Sequence, residues 1–144
     1  KLHDDSVRIV EKTPSGKLFW QPFERDVLFP INSVGEYLLR SAGRVEQTFG
    51  GITTKLWDDP FEWTLPEQLS TPELILGYFD EVKATRNRGF SLLTSDDDLR
   101  KVIPAPVRMM SLFEILLDTA AEAENLKGRG EAIFLLLLES ERQR

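Results

Sequence analysis

Three times along this chain a serine is followed three residues later by a glutamate: Ser33 with Glu36, Ser70 with Glu73, and Ser111 with Glu114. At a helix start such a pair closes on itself. The serine oxygen accepts from the third residue's backbone N–H, and the glutamate reaches back to the serine's own N–H, so two orphan donors are satisfied at once. Each pair also precedes apolar residues spaced by three and four. Val34, Leu38, Val45, Phe49 and Ile52 predict a helix over 33–56, with one stripe facing a core. Leu74, Ile75, Tyr78, Phe79 and Val82 predict another over 71–94, with Pro72 in the first turn, where its missing N–H has no partner to lose. From Ser111, the series Leu112, Leu116, Ala123, Leu126, Ile133, Phe134 and Leu137 predicts a long last helix. Its second half is apolar on most sides, so it is expected to be the central, most buried helix.

A shorter helix over Asp4–Thr13 is stopped by "TPSG", because proline disfavours helix in the residue before it and glycine invites a turn. Between the helices lie "KLFWQPFERDVLFP", "WDDPFEWTLPEQL" and "KVIPAPVRMM", proline-rich and aromatic or aliphatic, which are expected to pack over the ends of the helices. No hairpin or internal repeat stands out. The fold class is therefore all-α, most economically a four-helix bundle in one domain over 1–144, a length that supports a single core.

Composition removes several functions. A net charge of −6 repels a phosphate backbone, and the local group Lys83, Arg86 and Arg88 is too small to reverse that, so no nucleic-acid partner is expected. Zero cysteines exclude disulfides, thiolate nucleophiles and cysteine zinc sites, which suits a reducing compartment and makes a cytoplasmic location the default expectation. Apolar runs fall short of the roughly 20 residues a spanning helix needs, so no membrane partner is expected. The start "KLHDDS" has neither methionine nor an apolar signal core and reads as a trimmed or processed end.

Catalytic constellations are sparse. His3 is the single histidine and lies near a terminus expected to fray, which leaves a Ser-His-Asp triad without its base. Asp96, Asp97 and Asp98 lack the alternating ligands and turn glycine of a calcium loop and read as a solvated or capping run. Trp57, Phe61 and Trp63 read as an aromatic lid, with a ligand mouth as the alternative.

The stretches "FWQPF…SVGEYLLRSAGRVEQTFGGI" and "SLFEILLDTAAEAENLKGRGEAIFLLL" resemble the lead-in, second helix and last helix of the DinB-like superfamily of bacterial four-helix proteins, over about residues 18–140. The resemblance implies a divalent metal held by one histidine of the second helix and two, four residues apart, on the last; some members use it to activate a low-molecular-weight thiol. Matched position by position, the three ligand places fall on Arg40, Glu124 and Gly128. A guanidinium, a carboxylate and a glycine cannot reproduce a three-imidazole site, so no metal and no other cofactor is expected. On this reading Glu124 and Gly128 share a face that looks toward Arg40, whose charge takes the metal's place in a pair with Glu124. The middle of the last helix, small and charged, is then the wall of a former metal pocket.

The candidate pocket residues are thus Arg40, Arg44, Glu46, Glu122, Glu124 and Gly128. Three classes stay open: a non-catalytic or small-ligand-binding bundle protein; a hydrolase- or transferase-type enzyme using Glu46, Glu122 or Glu124 for acid-base work or a weak oxygen-ligated metal; and a helical interaction protein that buries a face against a partner or a second copy of itself.

Overall fold

The computed structural model describes residues 1–22, 31–59 and 68–143. Among these the chain is mostly helical. It forms α1 (Leu2–Lys12), α2 (Val34–Thr54), α3 (Pro72–Ser91) and α4 (Leu112–Arg142), with a 3-10 turn at Asp96–Arg100 and two short strands, β1 (Val102–Pro104) and β2 (Met109–Ser111).

Two of the three serine–glutamate starts close as expected. Glu36 N–H donates to Ser33 Oγ at 3.3 Å while Ser33 N–H donates to Glu36 Oε2 at 2.8 Å. At α4 the same exchange runs at 3.2 and 2.8 Å between Ser111 and Glu114, and the hydrogen bonds that Glu114 accepts from Ser111 hold its carboxyl below the usual range. The start of α3 is shifted by one residue. Thr71, not Ser70, is the cap and accepts from Leu74 N–H at 3.4 Å. Pro72 decides this, because its fixed φ suits the first helical position and forces the residue before it into extended backbone, at φ −118° and ψ 154°.

The central helix is α2 rather than the last one. It packs on α1, α3 and α4, and Val34, Leu38 and Leu39 are at most 1% exposed. The abundance of leucine at the end of α4 exceeds what α2 can cover, so Leu135 and Leu136 remain on the surface. His3 does not fray. It lies within α1, and its ring meets Phe79 edge-on at 6.5 Å.

The segment "KVIPAPVRMM" is not an irregular linker but an antiparallel hairpin, with Val102 opposite Ser111, Ile103 opposite Met110 and Pro104 opposite Met109. Its prolines do not break it because Pro104 ends a strand and Pro106 sits in the turn, which Ala105 N–H closes on Arg108 O at 3.0 Å. Trp57 folds over Gly51 and donates its indole N–H to Pro104 O at 3.1 Å, which ties the end of α2 to this hairpin. Phe61 and Trp63, the other two members of the expected lid, lie outside the described residues. No helix among the described residues is long and apolar enough to cross a membrane.

Candidate functional site

α4 has two inner neighbours, and the side chains it offers each are different. Against α2 it offers small and hydroxyl-bearing residues. Ser41 Oγ donates to Ala123 O at 2.8 Å, and Thr48 and Thr119 hydroxyls lie 2.6 Å apart, with both pairs fully buried. Since Thr119 Oγ1 also donates to Ile115 O at 2.8 Å, the shared proton belongs to Thr48. A Cβ on Gly130 would come within 3.2 Å of Tyr37 Cβ, so that glycine sets how closely the helices approach. Gly128 has nothing within 4 Å and faces outward.

The buried line therefore runs one residue beside the positions matched above. On α2 the inward residue is Ser41, and Arg40 is exposed; on α4 it is Ala123 and Lys127, with Glu124 and Gly128 on the exposed side. Glu124 pairs with Lys127 of its own helix at 3.2 Å. Neither set of positions offers an imidazole, and no group of three or more histidine, cysteine or carboxylate side chains placed to hold a metal occurs among the described residues. The donor set does not fit the metal that the resemblance implies.

The remaining candidates join helices together. Arg44 Nε lies 2.6 Å from Glu122 Oε2, bridging α2 and α4, while its Nη1 donates to Gln47 Oε1 at 2.8 Å. The Nε contact is close but too bent for a hydrogen bond and leaves that buried N–H without an aligned acceptor, so the attraction there is one of charge. Glu46 accepts from Tyr78 O–H at 2.5 Å, linking α2 to α3. Burial first, and then the Glu46 carboxylate, push the phenol far above its ordinary value, so it stays a donor and keeps Glu46 occupied. Asp98, from the acidic run, accepts from the N–H groups of Thr94 and Ser95 at 2.7 and 3.0 Å, and its other oxygen meets Lys101 Nζ at 2.5 Å. The lysine contact, then the two backbone donors, hold its carboxyl well below the usual range. It is a cap.

Against α1, by contrast, α4 offers Lys127. Its side chain is only 10% exposed, and its ammonium stands 3.2 Å from Glu124, 3.6 Å from Glu131 and 3.9 Å from Asp5 of α1. Burial pulls its pKa down, but the Glu124 hydrogen bond and then the charges of Glu124, Glu131 and Asp5 outweigh that and raise it above the ordinary lysine value. The ammonium forms one wall of a cleft of about 310 Å³ between α1 and α4. Lys1, Arg8 and Lys12 add positive charge to the lining, Asp5 and Glu131 negative, and Ile9, Phe134 and Leu135 give an apolar side. A second hollow, between α1, α2 and α3, is lined by His3, Ser6, Ser41 and Phe79 among others, and holds only about 30 Å³. That is room for one water, not for a ligand. The neighbouring His3 is lowered by burial and by Lys83, against the pull of Asp4 and Asp80.

Sequence reasoning missed Lys127 and Asp5. Lys127 with Glu124 and Glu131 at −3 and +4 was a readable ion-pair pattern on one helix; Asp5 arrives from α1, and no local pattern announces it. Comparison with known protein families, with curated proteins and with solved structures finds no match for this chain.

Proposed function

We propose that this chain is a divergent DinB-like bundle protein that has no metal site and acts without catalysis, by binding a small anionic molecule in the cleft between α1 and α4. The observation that carries the reading is the cleft itself. Its volume of about 310 Å³ lies within the range of small-molecule sites, of roughly 300–1,000 Å³. Its lining carries more cations than carboxylates on a chain whose net charge is −6. The charge of Lys127 is already shared among three carboxylates, and Arg8 has only a long pairing with Asp5, at 3.8 Å, so Lys12 and the exposed Arg8 are the recognition groups for a carboxylate or phosphate. Ile9 and Phe134 receive the apolar part of the ligand.

The absence of catalysis rests on how the candidate acids are spent. Glu46 is held by Tyr78, Glu122 by Arg44 and Glu124 by Lys127.

Thermal melts against a panel of small carboxylates and phosphates test the reading. A ligand at a hundredfold excess over its dissociation constant stabilises by roughly 2.7 kcal/mol, and the Arg8→Gln/Lys12→Gln variant is expected to lose that rise while melting normally without ligand. One equivalent of zinc or nickel retained through dialysis, or a ligand response unchanged in the double variant, would overturn it.

A further inference from the structure

Charge is not spread evenly along the cleft between α1 and α4. The two helices run in the same direction, since Lys127 faces Asp5 at 3.9 Å and Glu141 faces Lys17, past the end of α1, also at 3.9 Å. At 1.5 Å per residue, Lys12 therefore stands about 10 Å along from Asp5, near the level of Phe134 and Leu135. The carboxylates gather at the other level. Asp5, Glu124 and Glu131 all lie within 3.9 Å of the Lys127 ammonium, which offsets one of their three charges. Of these, Asp5 and Glu131 line the cleft from opposite walls. Their ionic contacts are long: 3.9 and 3.6 Å to Lys127, and 3.8 Å from Asp5 to Arg8. A charge-assisted hydrogen bond runs at about 2.7–2.9 Å, so both carboxylates keep acceptor sites to spare. Lys12 has no ion-pair partner among the described residues, and Lys1, on the rim, has its side chain 87% exposed, where water screens its charge.

We propose that the ligand of this cleft is an α-amino acid with an apolar side chain. The proposal rests on the reading above, in which Arg8 and Lys12 hold an anionic group, and adds that the group is a carboxylate with an ammonium beside it. Arg8 and Lys12 are four residues apart on one helix, so both reach a single carboxylate. The ligand's ammonium, with three donors, goes to Asp5 and Glu131 and offsets negative charge that Lys127 leaves over. The two charges are neighbours on the ligand because the groups that receive them are neighbours: Arg8 Nη1 and Asp5 Oδ1 are 3.8 Å apart. A carboxylate without the ammonium gives Asp5 and Glu131 no donor and sets a like charge beside them. An amine without the carboxylate meets Arg8 and Lys12 at the same disadvantage. The side chain runs toward Phe134 and Leu135, away from the carboxylates. A volume of about 310 Å³ is at the small end of ligand sites, which suits one amino acid rather than a longer peptide.

Calorimetric titration of the unaltered chain with four related molecules tests this. Phenylalanine carries both charges and an apolar tail; phenylpropanoate lacks the ammonium, phenylethylamine lacks the carboxylate, and glycine lacks the tail. Phenylalanine is expected to bind about tenfold or more tighter than each of the others, the least that one charged, hydrogen-bonded group contributes. Glu131→Gln, and separately Asp5→Asn, is expected to shrink the advantage of phenylalanine over phenylpropanoate while phenylpropanoate binds as well as before. That retained binding shows the variant to be folded, and the comparison of ligands on the unaltered chain decides the matter even if a variant does not fold. Phenylpropanoate binding as tightly as phenylalanine overturns the amino-acid assignment and leaves the cleft a plain anion site. A response to other carboxylates or phosphates with none to phenylalanine does the same. No response to any of these molecules overturns the cleft reading itself. An advantage of phenylalanine that survives undiminished in both folded variants puts the amino acid somewhere else and overturns the assignment.

Discussion

The two inner sides of α4 solve the same packing problem in opposite ways. Toward α2 the side chains are short and neutral, the hydroxyls are satisfied within the seam, and Gly130 lets the backbones close in. Toward α1 the side chains are long and charged, and a cleft of about 310 Å³ stays open between the helices. Short neutral residues give up surface for proximity; long charged ones hold helices apart and keep water between them. A seam of the first kind resists substitution, and one of the second tolerates it.

That contrast can be broken by measurement. The largest effect is expected in the dry seam, where Leu38→Ala empties a fully buried site and should cost about 2–5 kcal/mol in urea unfolding. A loss below about 1 kcal/mol would mean that the seam is not the tightly packed side. Next come the hydroxyls. Thr119→Val strands the Thr48 proton in a buried place and should cost about 1–3 kcal/mol, whereas Thr48→Val removes a donor that Thr119 does not need and should cost less. The double variant should be no worse than Thr119→Val alone, and a double-mutant cycle showing simple additivity would refute the pairing.

In the cleft, Lys127→Met should cost only about 1 kcal/mol, because its carboxylate partners are exposed enough to be solvated when it leaves. The cost also depends on pH. Since the folded-state pKa is raised, the lysine's contribution is fully present below the unfolded value of about 10.4 and is lost as pH rises through the folded one. The gap between variant and parent should therefore close in alkaline titration, and a constant gap would show that packing, not charge, carries it. Smallest of all are the glycines two residues apart on α4. Gly128→Ala meets open space and should stabilise the dilute chain by about 0.5–1 kcal/mol. Gly130→Ala pushes a methyl against Tyr37 and should lose that gain or reverse it. Equal responses at the two positions would erase the distinction between the faces.

How much of this was legible in the sequence varied with how local the cause was. The helices and two of their caps could be read directly, because a capping pair and a 3/4 stripe are complete within a few residues. The start of α3 slipped by one because Thr71 and Ser70 both carry a capping oxygen, and only the neighbouring proline decides between them. The hairpin of "KVIPAPVRMM" escaped because three-residue strands are too short to show alternation and their prolines argued against pairing. The helix that ended up at the centre was misjudged from hydrophobicity alone: α4 has more leucines, but α2 has neighbours on more sides. In the candidate site, Arg44 with Glu122 and Glu46 with Tyr78 are joined across helices, while Arg40 and Gly128 are exposed. A one-residue offset turns a helical side chain by about 100°, so assigning facing positions from a pattern is unforgiving in a way that assigning helices is not.

The two hydroxyl contacts of the α2–α4 seam join residues 82 and 71 positions apart. Before either can form, the chain must close a loop that contains all of α3 and the hairpin, so the seam is expected to form late in folding and to set its pace. The entropy of that closure grows only slowly, by roughly 0.6 kcal/mol for each doubling of loop length. Lengthening the connection between α2 and α3 by ten flexible residues should therefore leave the refolding rate almost unchanged, whereas a substitution in the seam acts on it directly.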